Sequence, residues 1–158
     1  MSFGFDKAGF ENIFSVEINP EFAKTYKKNF PSHKLLVEDI RDISNDTVKE
    51  LVGGREIDII IGGPPCQGFS IAGNIGRTFI DDERTRLFKE FVRFVSEVNP
   101  KMFIMENVAA MATHLKGKTI KAIVDAFEHA GMRYKVKWEV LNTDRKSTRL
   151  NSSHLEQS

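Results

Sequence analysis

Residues 59–70 read Ile-Ile-Ile-Gly-Gly-Pro-Pro-Cys-Gln-Gly-Phe-Ser and contain the only cysteine of the chain, Cys66. Residues 57–61 are isoleucine except for Asp58, and they predict a buried parallel strand, because β-branched residues in sequence need cover on both faces of a sheet. The glycines permit a sharp turn and the prolines fix φ, which holds the thiol just beyond the strand. Ligands of open α/β sheets bind at that edge, so the pattern indicates a nucleophile. The alternative is a small buried apolar residue, the common role of a lone cysteine.

Strand and helix patterns alternate along the rest of the chain. The predicted strands span residues 14–18, 34–37, 57–61, 102–105 and 134–141. The predicted helices span residues 20–29, 47–52, a segment from Asp81 or Asp82 to residue 98, and residues 117–130. In the third of these helices one face is apolar, formed by Leu87, Phe91, Phe94, Val95 and Val98. Such alternation predicts one α/β domain with a doubly wound, mostly parallel, Rossmann-like sheet. Residues 68–82 carry glycines without periodicity and predict a mobile loop.

A second apolar strand that is followed directly by polar residues is predicted at Phe103-Ile104-Met105-Glu106-Asn107-Val108. A glutamate at a strand end is by itself most often a solvated residue. Together, however, the Pro-Cys-Gln-Gly-Phe-Ser string and the Glu-Asn-Val string resemble two motifs of the cytosine-C5 DNA methyltransferases, in that family's order. The resemblance runs over residues 2 to 143. It implies the fold of a class I S-adenosylmethionine-dependent methyltransferase, present here incompletely.

The resemblance implies a covalent mechanism. The Cys66 thiolate would add to C6 of cytosine while Glu106 contacts N3, which makes C5 able to take a methyl group. The role of Glu106 favours a carboxyl partly shielded from water. A stacked base is out of reach, so the cytosine must be flipped out of double-stranded DNA. The family's DNA contacts fall here on Gln67, Ser70, Arg84 and Asn107.

The implied methyl donor is S-adenosyl-L-methionine. Glu17 ends a predicted strand, where a carboxylate can accept both ribose hydroxyls in nucleotide-binding α/β folds. By the resemblance, Asp39 accepts from the adenine amine, and the remaining cofactor contacts are Phe3, Ile18, Ile40, Pro65 and Leu87. Without the resemblance, Glu17 and Asp39 would be ordinary acids at strand ends.

Both ends of the chain depart from the family pattern. The first strand and the glycine-rich loop of the family are not found before Phe3, so we expect residues 1–143 to be a partial catalytic domain. Residues 144–158 resemble the translation of a sequencing-library adapter, and a disordered polar tail is the alternative. We therefore expect these 158 residues alone to be inactive and to bind the methyl donor weakly.

Composition narrows the remaining possibilities. The chain has 23 Lys and Arg against 22 Asp and Glu, so its charge gives no sign of nucleic-acid binding. A single cysteine excludes a disulfide framework, and His33, His114 and His129 are scattered and expected to be solvated, without a metal site. No segment is apolar enough to span a membrane. The expected location is the bacterial cytoplasm with the nucleoid, or the nucleus in a eukaryote, and the intact enzyme is expected to be monomeric.

Two other functions remain open. The first is a tRNA cytosine-5 methyltransferase of the same family, which shares the chemistry, although such enzymes tend to lack Gly-Phe-Ser after Pro-Cys-Gln. The second is an inactive fragment acting only as a binding module. Amino-methyltransferases do not fit, because they place an aromatic residue after the two prolines, where this chain has Cys66. The favoured function is a DNA cytosine-5 methyltransferase of the restriction-modification type.

Overall fold

The computed structural model describes residues 1–65, 83–129, 131 and 134–141, with the backbone alone for residues 83–86. Helices and strands alternate over most of this range. They are α1 (Ser2–Lys7), β1 (Ser15–Val16), α2 (Pro20–Asn29), β2 (Leu35–Leu36), α3 (Asn45–Val52), β3 (Ile59–Gly62), α4 (Glu83–Val98), β4 (Met102–Met105), two short 3-10 helices (Ala109–Ala112 and His114–Gly117) and α5 (Lys118–Glu128). The predicted bounds of α2 and β4 are confirmed, whereas β1 and β2 are shorter than predicted.

The strands form two parallel pairs. Strand β1 pairs with β2 in the register Ser15↔Leu35, and β3 pairs with β4 from Ile59↔Met102 onward. Within the described residues the two pairs are separate sheets. Parallel strands connected through helices confirm the predicted α/β class, and the division into two pairs agrees with an incomplete Rossmann-like sheet.

Local signals explain where the first long helices begin. The Asn19 side chain accepts hydrogen bonds from the backbone N–H of Glu21 at 2.9 Å and of Phe22 at 3.3 Å, and Pro20 opens α2. Asparagine as the N-cap followed by proline is a favoured helix start. In α3, Ser44 Oγ accepts from Thr47 N at 3.1 Å. These caps fix the helices that follow β1 and β2.

Helix α4 packs against both strand pairs. Its buried residues Phe88, Phe91 and Val95 join a cluster that includes Phe127 of α5 and residues of β3 and β4. Its Phe94 packs instead with Ile43 and Val48, beside residues of β1 and β2. The predicted apolar face of α4 therefore serves two core clusters. Leu87 and Val98, at the ends of that face, are only partly buried.

Gly62 at the end of β3 is required by the packing of Phe91. A Cβ atom at Gly62 would lie 2.5 Å from Phe91 Cε2, and the Phe91 ring is confined edge-on against Phe103 and Phe127. Gly62→Ala is therefore expected to lower the free energy of unfolding by about 1–3 kcal/mol, the usual cost of overpacking. Urea unfolding measures this change. Gly4→Ala is the matched control, because a Cβ at Gly4 meets no atom within 4 Å. Equal unfolding midpoints for both variants would contradict this account.

Two predictions about the fold are wrong. Residues 134–141, predicted to be a strand, have no regular secondary structure and pair with no described strand. Tyr134 donates to Pro100 O at 2.7 Å and Val136 packs on the core, but Trp138 and the residues after it are exposed. Without a described neighbour to pair with, an alternating pattern alone does not make a strand.

The second error concerns His33, which is buried and not solvated. Its Nδ1 is 3.0 Å from the Tyr26 hydroxyl, and its ring stacks on Phe30 with 4.8 Å between ring centroids. His114 is half-buried and bonds Thr119 Oγ1 at 2.6 Å, so only His129 is exposed as predicted.

Candidate active site

The carboxyl ends of β3 and β4 bring the two sequence motifs together. Glu106 N donates to Gly62 O at 2.9 Å, which continues the parallel register one residue beyond β4. The Glu106 carboxylate consequently lies over Gly63, since a Cβ there would be 3.2 Å from Glu106 Oε2. Asn107 Nδ2 donates to Pro64 O at 2.9 Å. The polar end of β4 therefore contacts the Gly63–Pro65 segment that leads directly to Cys66.

The proposed nucleophile and most of the predicted DNA contacts lie outside the described residues. These are Cys66, Gln67, Ser70 and the side chain of Arg84. Their roles stay predictions. Glu106 is exposed, although its predicted role favours a shielded carboxyl.

A cavity of about 1160 Å³ lies between the two strand pairs. It is larger than common small-molecule sites of roughly 300–1,000 Å³. Six of the seven predicted cofactor residues line it, namely Glu17, Ile18, Asp39, Ile40, Pro65 and Leu87. Phe3 does not line it: the residue is 62% exposed, and Lys7 Nζ lies 4.8 Å from the centroid of its ring. The structure thus brings the predicted cofactor residues into one cavity, except for Phe3.

The Glu17 carboxylate is fixed at the end of β1. Its Oε1 accepts from Asn19 N at 2.8 Å, and the Glu17 backbone N–H donates to Leu36 O at 3.0 Å. Among the described residues, Oε2 has no hydrogen-bond partner. One carboxylate oxygen thus sets the orientation of the group, while the other can accept a hydrogen bond from a ligand in the cavity.

Asp39 has a partner that sequence reasoning missed. The Arg41 side chain donates through Nε to both Asp39 oxygens, at 3.0 and 2.9 Å, and the Arg41 backbone N–H donates to Oδ1 at 2.9 Å. These hydrogen bonds from the Arg41 side chain, and next from its backbone, hold the pKa of Asp39 below its ordinary value of 3.8. Asp39 is therefore ionised at neutral pH and can accept a further hydrogen bond.

Comparison with known proteins shows the family. A model of the C-5 cytosine-specific DNA methylases matches residues 1–145. The chain belongs to this DNA methylase family. Type II methyltransferase M1.HphI of Haemophilus parahaemolyticus is 54% identical over 141 residues, which cover 89% of this chain and 37% of that protein. Type II methyltransferase M.XorII of Xanthomonas oryzae is 36% identical over 144 residues, which cover 90% of this chain and 33% of that protein.

Solved structures give the same fold for this DNA methylase chain. One is a prophage-encoded Escherichia coli protein described as a DNA modification methyltransferase, with a TM-score of 0.63 and 33% identity over 79% of this chain and 33% of that one. Another is a mutant of DNMT2 from Spodoptera frugiperda, with a TM-score of 0.57 and 26% identity over 78% of this chain and 36% of that one. The chain thus spans about a third of the length of these relatives.

The cavity residues of this chain fit the methyl donor that the family generally uses, S-adenosyl-L-methionine. Ribose hydroxyls and the adenine amine are hydrogen-bond donors, and the carboxylates of Glu17 and Asp39 are acceptors. Ile18 and Ile40 provide apolar surface in the same cavity, as ligand sites do. In the described part of the chain, no three His, Cys, Asp or Glu side chains are grouped to hold a metal ion. None of the described helices has the length and hydropathy of a membrane span.

The link between Arg41 and Asp39 predicts a pH response. A carboxyl with a lowered pKa stabilises the fold above its ordinary pKa, and this contribution is lost as the pH falls through the lowered value. Arg41→Met is therefore expected to raise the pKa of Asp39 towards 3.8, so that this pH-dependent contribution to stability shrinks. Carboxyl carbon NMR titration measures the pKa of Asp39. Lys24→Met is the control, because Lys24 pairs with Glu21 on the surface. An unchanged Asp39 pKa in Arg41→Met would contradict the assignment.

Proposed function

We propose that this chain supplies the catalytic and cofactor-binding residues of a DNA cytosine-5 methyltransferase, and that Cys66 forms a covalent adduct with a flipped cytosine. The observation that carries the proposal is the junction of β3 and β4. There, Asn107 bonds Pro64 O, and the Glu106 carboxylate lies over Gly63, two residues before the Pro65-Cys66 step. Glu17 and Asp39, which follow β1 and β2, line a cavity that Pro65 also lines.

The chemistry follows from these residues. The Cys66 thiolate forms a bond to C6, and the electrons of the 5,6 double bond move onto the ring as Glu106 gives a proton or hydrogen bond to N3. C5 is then an enamine carbon that forms the bond to the methyl group. A base next removes the C5 proton, the bond from sulfur to C6 breaks, and the 5,6 double bond returns with the thiolate released. Any proton that N3 received passes back to Glu106, so the product is neutral 5-methylcytosine. When bound, S-adenosyl-L-methionine would supply the methyl group as an electrophile, and the electron pair of the broken sulfur–methyl bond would stay with the S-adenosyl-L-homocysteine that leaves.

The proposed roles of the cavity residues are specific. Glu17 accepts from the ribose hydroxyls, and Asp39 accepts from the adenine amine while it keeps its bonds to Arg41. Ile18 and Ile40 pack against the nucleoside, and Pro65 and Leu87 border it. Asn107 acts on the site indirectly by holding Pro64, because its side-chain amide already donates to the Pro64 carbonyl.

The substrate is proposed to be double-stranded DNA and not tRNA. The Gln67-Gly68-Phe69-Ser70 sequence retains the pattern of the DNA enzymes. The curated relatives are named Type II methyltransferases, and they come from bacteria. This favours a restriction-modification enzyme that acts on DNA inside a bacterial cell.

The test uses the full-length enzyme that carries these residues. Bisulfite sequencing of the host DNA after expression identifies the methylated sequence, and a duplex of that sequence containing 5-fluorocytosine then traps the adduct, because fluorine cannot leave as a proton does. Mass spectrometry is expected to find the DNA on the peptide that contains Cys66. An RNA duplex of the same sequence and a DNA duplex with ordinary cytosine are the controls. A trap on RNA alone, or no adduct at Cys66, would contradict the proposal.

A further inference from the structure

Arg93 of α4 joins the helix to the segment that follows β2. Its Nη2 donates to Ile43 O at 2.9 Å and to Ile40 O at 3.0 Å, and its Nη1 donates to Asn45 Oδ1 at 2.6 Å. These partners lie 48 to 53 residues away along the chain. A single guanidinium thus holds three points of the segment between residues 40 and 45.

The guanidinium is itself held in place from within α4. Glu90 Oε2 accepts from Arg93 Nε at 2.6 Å, one helical turn earlier. The guanidinium carbon lies 4.8 Å from the centroid of the neighbouring Phe94 ring, and Phe94 is buried. Its planar fork matches these separate acceptors, whereas the single ammonium of a lysine could not reach all of them.

The segment held by Arg93 begins at one cavity residue and directly follows another. Ile40 lines the cavity, and the carbonyl that Arg93 binds is that of Ile40 itself. Asp39 is the adjacent residue, and its carboxylate is oriented by Arg41 within the same segment. Movement of the Ile40 carbonyl would therefore displace the Asp39 carboxylate relative to β1 and the rest of the cavity.

From this geometry we infer that Arg93 is a positioning residue for adenine recognition, which it achieves by fixing the Asp39–Ile40 backbone. The inference rests on the proposed function, because it requires that Asp39 receive the adenine amine. Arg93 itself does not line the cavity, so its effect reaches the ligand through the segment it holds.

The test compares two ligands in the full-length enzyme. S-adenosyl-L-homocysteine carries the adenine amine, and S-inosyl-L-homocysteine carries a carbonyl in its place, which would face the Asp39 carboxylate unfavourably. Calorimetric titration of the wild-type enzyme is expected to show a preference for the adenosyl ligand of about 10- to 100-fold, the scale of a hydrogen bond to a charged group. Arg93→Met is expected to lower the affinity for the adenosyl ligand about tenfold or more, and to reduce the preference to within about threefold. Arg93→Lys should fall between the two.

Lys49→Met is the matched control. Lys49 of α3 pairs with Glu97 of α4 at 3.0 Å, so it joins α4 to the neighbouring helix through an ion pair that involves none of residues 39–43. This variant is expected to keep the wild-type preference. Arg93→Lys decides the question if Arg93→Met does not fold, as judged by thermal unfolding. A full preference in folded Arg93 variants would overturn the inference and leave the proposed function standing. A wild-type enzyme that binds neither ligand, or binds both equally, would overturn the proposed adenine contact together with the inference.

Discussion

Cys66→Ser is expected to reduce methyl transfer by the full-length enzyme on the order of 10⁴-fold or more, the scale found when a covalent nucleophile is removed. A serine hydroxyl is ionised far less than a thiol near neutral pH, so it adds poorly to C6. The affinity for DNA should change little, because the substitution exchanges one small side chain for another. Transfer of a radiolabelled methyl group measures the rate, and gel-shift titration of the same preparation measures binding.

Ser70→Ala is the control for this prediction. By the family resemblance Ser70 contacts a phosphate, so its substitution should weaken DNA binding while the fluorocytosine adduct at Cys66 still forms. Cys66→Ser should therefore lose methyl transfer and keep DNA binding, whereas Ser70→Ala should weaken DNA binding and keep adduct formation. Turnover by Cys66→Ser at a rate near that of the wild type would contradict the covalent mechanism.

The elements predicted most accurately have strong local signals. Helix α2 begins after Asn19 with Pro20, and β4 begins after Asn99-Pro100, where the preceding helix cannot continue. Residues 134–141 alternate between apolar and polar side chains for much of their length, and yet they form no strand with the described residues. A helix satisfies its backbone within its own segment, whereas a strand depends on a neighbour that its own sequence does not specify.

Local pattern also decides which site residues could be placed from the sequence. Glu17, Asp39 and Glu106 each end or follow a predicted strand, so the sequence indicates that they lie at carboxyl ends of strands, whereas their roles come from the family resemblance. Arg93 donates to the carbonyls of Ile40 and Ile43, which lie 53 and 50 residues away. No local sequence pattern indicates such a contact. Backbone carbonyls are acceptors in every residue, so the sequence does not indicate which of them an arginine will reach.

Glu106 is the second residue whose substitution should affect the rate strongly. Glu106→Ala removes the group that stabilises the proton on N3, and we expect the rate to fall about 10³- to 10⁴-fold, the upper range for an acid catalyst. Glu106→Gln keeps an N–H donor of nearly the same length, so a fall of only about 10- to 100-fold is expected. Single-turnover methylation at saturating DNA measures both rates.

Both Glu106 substitutions are expected to leave the fold intact. Glu106 is exposed, and the hydrogen bond that joins it to β3 comes from its backbone N–H to Gly62 O, which both substitutions preserve. The two variants should therefore unfold at the same urea concentration as the wild type, and Glu128→Gln on the exposed end of α5 controls for loss of a surface charge. A difference in rate without a difference in stability would assign the effect to the N3 contact. Rates near that of the wild type in both Glu106 variants would show instead that the carboxylate takes no part in the reaction.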